Sequence, residues 1–497
     1  MNSFDTIIIG SGLGGLLSAH ILAKEGQNIC VVEKNGQIGG CLQTFKRNDC
    51  IFDTGVHYIG SLDEGQITNR YFKYFGLMDR LNLKRMNEDG FDVLDLDDEQ
   101  FKYPIGYERL IENLAQRFPS ERQAIVNYAN EMQKVVDSLD LYNVRVPDST
   151  ISLNPYFSAN LSDYLNSITN NQLLQNVLAG LNVLYAGDKE TTSLYLHATV
   201  VHSFISSAWR PIDGSSQIAD FLADDIRSFG GSILINSKVQ KLHVENGVIK
   251  HAELDNGELL QAKQFVSNTH PSVTLDLIDS KEIRKPYRDR IHNLENTTSS
   301  FTVFVCLQEN AYPYENFNHY RINSDTVWKT EENQNEPWPQ GYMFLTPATS
   351  GSDKYATCAI IMTFMDFEEV KQWQHTSVNR RGDEYRQFKK EKAELLLDAV
   401  EKDRPGFRKK IKKCYTSSPL TYRDYTGTKN GSIYGIALDC NNPIKTYIPA
   451  RTKIPNLFFT GQNIGMHGVL GVTVGAIQTC SEFLGLEYLI KQVQAAS

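Results

Sequence analysis

The stretch FDTIIIGSGLGG, residues 4–15, decides how the chain is read. Thr6, Ile7, Ile8 and Ile9 make a β-branched run of the kind that forms a strand buried on both faces, and the glycines that follow end it. GLLSAHILAKEG (residues 15–26) then reads as a helix stopped by Gly26, and NICVVEK (residues 28–34) as a second strand. Strand, helix and strand in so short a span predict a right-handed crossover and a parallel sheet covered on both faces. The spacing Gly10-x-Gly12-x-x-Gly15 falls at the strand-to-helix turn, and Glu33 closes the second strand. A dinucleotide needs each part: one glycine for the turn, one so that a pyrophosphate can approach the backbone, and one to bring helix and strand together. The helix N-terminus offers N–H groups to phosphate, and the Glu33 carboxylate accepts from ribose hydroxyls.

FTGQNIGMHGVLGVTVGAIQTC, residues 459–480, repeats this grammar at the other end of the chain. Its glycines 461 to 471 predict a second backbone approach and a second helix N-terminus in the same domain. With Gly39-Gly40 and Asp53-Thr54-Gly55 continuing the first loop, the pattern asks for a dinucleotide longer than NAD. A flavin fits, because its ribityl chain and electron-rich N1/O2 edge call for N–H donors and a positive helix pole. FAD is the expected cofactor.

The 497 residues are too many for one simple core. A net charge of −9 argues against a nucleic-acid partner, which would require a basic face. The eight cysteines show no metal-like spacing, so free thiols in a reducing, cytoplasmic setting are expected, and no metal site. No uninterrupted apolar run is long enough to span a bilayer, so the protein is expected to be soluble or peripheral at a membrane. Arg408, Lys409, Lys410, Lys412 and Lys413 could touch an anionic membrane surface, although a solvated helix end is the plainer reading.

The pattern predicts an α/β fold: a Rossmann-like FAD-binding domain, its parallel sheet flanked by helices, plus a substrate domain of mixed sheet and helical cap. Residues 1–85, 205–285 and 416–497 are assigned to the first, residues 86–204 to a helical cap and substrate region, and residues 286–415 to a substrate-binding sheet. Helical spacing runs from 107 to 141 and again from 173 to 185, and β-type runs recur between 300 and 365. Aromatic residues in cap and sheet could wall a tunnel for a long apolar substrate, or simply form core.

Segments 1–60, 185–270 and 415–480 resemble the FAD-dependent amine oxidase and phytoene desaturase superfamily, and within it the branch of carotenoid isomerases and retinol saturases. FDTGVHYIG (residues 52–60), TGQNIG (460–465) and SSPLTYRDYTGTKNGSIYG (417–435) carry the likeness. Asp213-Gly214 stands where that family usually has a Gly-Gly pair. The resemblance implies that Ser11, Gly12, Gly14 and Gly15, with Gly10 at the turn, face the pyrophosphate, and that Glu33, with Lys34 beside it, faces the adenosine ribose. It further implies that Gly40 and Cys41 pass near pyrophosphate and flavin, and that the backbone of Val239 contacts adenine. Gly461 and Gln462 would approach the ribityl and phosphate region, with Gly471, Val472 and Thr473 at the N1/O2 edge. His57 and Tyr58 would lie beside flavin and substrate as candidate proton donors; local packing is the competing role for both.

The expected activity is FAD-dependent saturation, isomerisation or desaturation of carbon–carbon double bonds in a lipophilic conjugated polyene. Amine oxidation is one rival, set against by the lack of an aromatic cage near GQN. A non-catalytic prenyl-lipid carrier, like the Rab GDP dissociation inhibitors, is another. Without a second nucleotide-binding unit, electrons would come from a redox partner or from NAD(P)H visiting transiently.

Overall fold

Residues 3–96, 99–147, 154–322, 327–328 and 338–496 are described by the computed structural model. Strand Ser3–Ile9 lies between two parallel neighbours, Ile29–Val32 and Leu259–Ser267. Ser232–Leu234 extends the sheet beyond Ile29–Val32, and Leu457–Phe459 joins the far end of Leu259–Ser267. All these pairings are parallel, as a crossover fold requires. Two antiparallel strands, Val248–Leu254 and Val239–Glu245, complete the seven-stranded sheet. Their hairpin turns at Asn246 and Gly247, both with positive φ, the conformation that a two-residue Asn-Gly loop supplies.

Helix Leu13–Lys24 is apolar nearly all round, and residues 14–23 are buried. It is therefore an interior helix. Helices Gly468–Leu484 and Ser216–Ser228 pack against it. The Ser18 hydroxyl meets that of Thr460 at 3.2 Å, and the Cys480 thiol donates to the Ser18 carbonyl.

A second seven-stranded sheet runs in the order 411–417, 299–307, 358–365, 341–345, 318–322, 92–96, 99–103. Its pairings are antiparallel except for Asn318–Ile322 against Asp92–Leu96. Helix Gly382–Asp403 buries Leu396, Leu397 and Val400 in the cluster that also holds Phe301, Phe344 and Phe407. Strands Asp92–Leu96 and Glu99–Tyr103 belong to this sheet, so the helical layer begins only at Tyr107. The periodic stretch from 107 to 141 forms two helices, Tyr107–Arg117 and Arg122–Asp137, because Pro119 interrupts it. Asp213 takes a positive φ of 60°, as glycine would, and Gly214 follows at 98°.

The basic residues near 410 do not form a helix end. They make a short turn, Arg408–Lys410, and the start of strand Ile411–Ser417, and Arg408 is paired with Glu394 and Asp398. All eight cysteines are free. Among the described residues no cluster of His, Cys, Asp or Glu is placed to hold a metal ion, and no helix is long and apolar enough to cross a membrane.

Candidate functional site

The two glycine loops meet at the carboxyl edge of the first sheet. Gly10 turns the chain with φ 93°, and a Cβ on Gly15 would lie 2.1 Å from the Gly10 carbonyl oxygen. A Cβ on Gly14 would come within 2.6 Å of the Gly461 Cα, so the contact between chain ends is backbone against backbone. Gly12 caps helix Leu13–Lys24 without any side-chain hydrogen bond, which leaves the first-turn N–H groups for an anion. The turn at Gly39 and Gly40 packs on this loop, and the Gly39 N–H donates to the Ser11 carbonyl at 3.0 Å.

Glu33 is anchored to the same loop. Its Oε2 accepts from the Ser11 N–H at 3.0 Å and the Ser11 hydroxyl at 2.6 Å, while Oε1 accepts from the Asn35 N–H at 2.8 Å. One lone pair on Oε1 remains for a ribose hydroxyl. Lys34 points elsewhere, donating to the Asp424 carbonyl, and burial lowers its pKa. Val239 starts its strand two residues after Ser237, whose N–H donates to the Glu33 carbonyl.

At the other end, the Thr460 N–H donates to the Ser267 carbonyl as the Asn268 N–H donates to that of Ile9, which ties both loops to one strand end. Helix Gly468–Leu484 also starts with no side-chain cap. Gly471 lies in its first turn against Met466, where a Cβ would meet the Met466 Cβ at 2.7 Å. Val472 and Thr473 are buried one step further along, and the Thr473 hydroxyl turns back to the Val469 carbonyl. They do not line the cavity described next. Their N–H groups fall within the helical ladder, so the free donors at this pole belong to the residues just before Gly471.

A cavity of about 210 Å³ opens between the two sheets. It brings together Cys41, His57, Tyr58, Gln462 and Gly471 from the sequence-derived set, along with Tyr320, Tyr422, Tyr434 and His467, which that set omits. Among the described residues not one Asp, Glu, Lys or Arg lines it. Burial lowers the His57 pKa to about 4, with Arg210 adding to the effect, and burial alone lowers that of His467 to about 4 despite its bond to the Leu184 carbonyl. Both imidazoles are neutral at pH 7. Burial pushes the Cys41 thiol up to about 11 and the Tyr58 phenol well above its ordinary range, so both keep their protons. Tyr434 and His467 sit 4.8 Å apart at 44°, which places aromatic rings beside the GQN loop after all. They come from segments more than thirty residues apart, and so the pair has no local signature.

Asn268 is a further residue missed in the sequence. A Cβ on Gly12 would meet its Nδ2 at 2.7 Å, and Cβ atoms on Gly14 and Gly461 would meet its Oδ1 at 2.7 and 2.3 Å. Its place at the end of a strand, just past the carboxyl edge of the sheet, is the signal that could have found it.

Glycine-rich loops, two uncapped helix poles and an anchored acid define a dinucleotide-binding flavoprotein architecture. The chain belongs to the flavin containing amine oxidoreductase family, whose model matches residues 13–479. The family's cofactor is a flavin, and the dinucleotide grip makes it FAD. Human all-trans-retinol 13,14-reductase is 27% identical, over 97% of this chain and 85% of the relative. A chloroplastic prolycopene isomerase from an Oncidium hybrid cultivar is 24% identical, over 87% of this chain and 75% of the relative. Among solved structures, an oxidoreductase from Methanosarcina mazei superposes with a TM-score of 0.64 at 17% identity, covering 95% of this chain and 99% of that one.

Proposed function

We propose that the protein is an FAD-dependent oxidoreductase that acts on carbon–carbon double bonds of a lipophilic conjugated polyene, by saturation or isomerisation. The observation that carries this reading is the uncharged, largely aromatic and aliphatic wall of the cavity. A cationic amine would lose its hydration there with no carboxylate in return, whereas a polyene has only apolar surface to bury. The relatives named for retinol reduction and prolycopene isomerisation lend the reading weight.

When bound, a reduced flavin supplies a hydride equivalent to a polyene carbon. Ser11, Gly12, Gly14 and Gly15 would hold its pyrophosphate, Glu33 its adenosine ribose, and Gly461, Gln462 and the helix pole before Gly471 its ribityl and ring portion. Tyr58 holds a proton at its hydroxyl oxygen on the cavity wall and gives it to the polyene. His57 is neutral at pH 7, so its one N–H serves as a hydrogen-bond donor and not as the acid. The rings of Phe204 and Tyr434 bound the substrate and exclude water. The sequence has no second nucleotide-binding unit, so electrons reach the site from a redox partner or from a visiting pyridine nucleotide.

The test is to mix anaerobic, dithionite-reduced holoprotein with all-trans-retinol or a carotene and follow the polyene absorbance. A change is expected, and product mass then separates saturation, with a hydrogen pair gained, from isomerisation, with none. Unchanged spectra across retinol and several carotenes would sink the proposal.

A further inference from the structure

A buried polar chain that the functional reading does not use ends on the Tyr58 hydroxyl. The Tyr58 hydroxyl is 2.8 Å from Asp92 Oδ2 and 3.2 Å from the Tyr320 hydroxyl. Asp92 Oδ1 accepts from Asn318 Nδ2 at 2.8 Å, and Asn318 Oδ1 accepts from Arg210 Nη2 at 2.8 Å. Asp92 and Asn318 are both 0% exposed and sit directly opposite each other on parallel strands. Tyr58 and Tyr320 reach the cavity; Asp92 does not.

We propose that Asp92 is a positioning residue that works through Tyr58, turning the Tyr58 hydroxyl hydrogen toward the cavity and replacing it once it has been transferred. The inference rests on the reading of Tyr58 as proton donor to a polyene. A phenol has one hydrogen, so its direction depends on what the neighbouring oxygens carry. When Asp92 is protonated it donates to the Tyr58 oxygen, and the phenol hydrogen is free to face the substrate. When Asp92 is ionised it captures that hydrogen and turns it away.

The proton moves in two steps. A π pair of the polyene takes the Tyr58 proton and forms a C–H bond, leaving a delocalised cation. The Asp92 proton moves to the Tyr58 oxygen as the O–H bond on Asp92 breaks. The negative charge ends on Asp92, where the Asn318 N–H, polarised by Arg210, stabilises it. In saturation a bound reduced flavin would supply the hydride that quenches the cation, and Asp92 regains its proton from solvent before the next turnover; in isomerisation the proton retraces its path.

Asp92 faces Tyr58 and Tyr320, Tyr103 across its hairpin, and the positive Arg210 beyond Asn318. Burial outweighs the hydrogen bonds from Tyr58 and Asn318 and the pull of Arg210, and raises the carboxyl to about 7. The proton-transfer rate is therefore full below neutrality and falls as pH rises through about 7.

The experiment uses the dithionite-reduced holoprotein in single turnovers with all-trans-retinol across the neutral range. Asp92→Asn, which keeps shape and hydrogen bonds but has no proton to pass on, should slow turnover by about 10²-fold and abolish the fall with pH, with flavin absorbance retained. Asn318→Asp, which sets a second carboxylate beside Asp92, should move that fall upward by about one pH unit. Infrared spectroscopy of the protein without substrate should show a protonated-carboxyl band that titrates near neutrality and is missing from Asp92→Asn, which separates it from the other raised carboxyls among the described residues, Asp53 and Asp220. A wild-type rate and pH profile in Asp92→Asn, an unmoved fall in Asn318→Asp, or no band that depends on Asp92 would each overturn the relay. If the wild type converts no polyene, the functional reading falls and the relay falls with it, whereas a wild type that converts polyene beside an unaffected Asp92→Asn overturns the relay alone.

Discussion

The Asn268 carboxamide occupies the space that side chains on Gly12, Gly14 and Gly461 would need, and among the described residues it has no hydrogen-bond partner. Its amide hydrogens are free to meet a pyrophosphate. Asn268→Asp keeps the shape but puts an anion beside the phosphates, and is expected to weaken FAD binding at least about tenfold, or 1.4 kcal/mol, in a fluorescence titration. Unchanged affinity would remove Asn268 from the cradle. Asp53 poses a different problem. Burial raises its carboxyl from 3.8 to about 6, although the Ser215 N–H and hydroxyl both donate to its Oδ1. The folded chain keeps a proton that the unfolded chain releases, so stability contributed at this site falls as pH rises from 3.8 to about 6 and is level above. Asp53→Asn keeps both donors on Oδ1 and should be more stable than wild type above that window by about 2 kcal/mol, the gain shrinking toward pH 4. Denaturant melts at both ends of the range check this, and a gain independent of pH would exclude the ionisation account.

At the scale of elements, the legible parts are those whose constraint is local. Gly10, Gly12, Gly15 and Glu33 were readable because a turn, a close approach and a strand end leave their mark within one crossover. Asp92, Asn318 and Tyr320 were not, since Asn318 is 226 residues from Asp92 and Tyr320 is 262 from Tyr58, and only sheet pairing brings them together. The paired strands 92–96 and 99–103 read as part of the cap for a related reason: FDVLDL is buried at nearly every position, so its carboxylates give no alternation to mark two faces. The helix after the second glycine loop was readable, but not the turn at which its free donors lie. That pole can be tested through Gly471. An alanine Cβ would collide with the Met466 Cβ, carbonyl oxygen and carbonyl carbon at 2.7 to 2.9 Å, and Met466 is held by the Thr199 and Tyr142 hydroxyls on its sulfur. Backbone on one side and a bound side chain on the other leave little room to yield. Gly471→Ala should therefore shift the 466–468 turn into the cavity and lower flavin affinity about tenfold, while a remote surface glycine such as Gly351, with nothing within 4 Å and no positive φ, should tolerate alanine far better in the same assay.

At the scale of the molecule, strand Leu259–Ser267 gathers both chain ends, with Ser267 aligned to Ile9 on one side and Phe459 on the other. The adenosine-side loop and the ring-side loop therefore belong to one rigid edge, although 446 residues separate Gly15 from Gly461. A ligand that spans both loops binds only when the ends are assembled, so it must stabilise the fold as well as colour it. At a hundredfold excess over its dissociation constant such a ligand adds about 2.7 kcal/mol. FAD reaches both loops. FMN has the ring, ribityl chain and one phosphate but no adenosine to engage Glu33, and NAD has the adenosine but no isoalloxazine to reach the pole before Gly471. Protein stripped of cofactor should thus melt at a higher temperature with FAD than with FMN or NAD at equal concentration, and should regain a yellow colour on gel filtration only with FAD. Equal shifts with FMN and FAD would mean that the adenosine loop does not contribute. A colourless protein with no shift from any of the three would make the chain a lipid carrier on a flavoprotein scaffold, with the cavity kept and the redox chemistry lost.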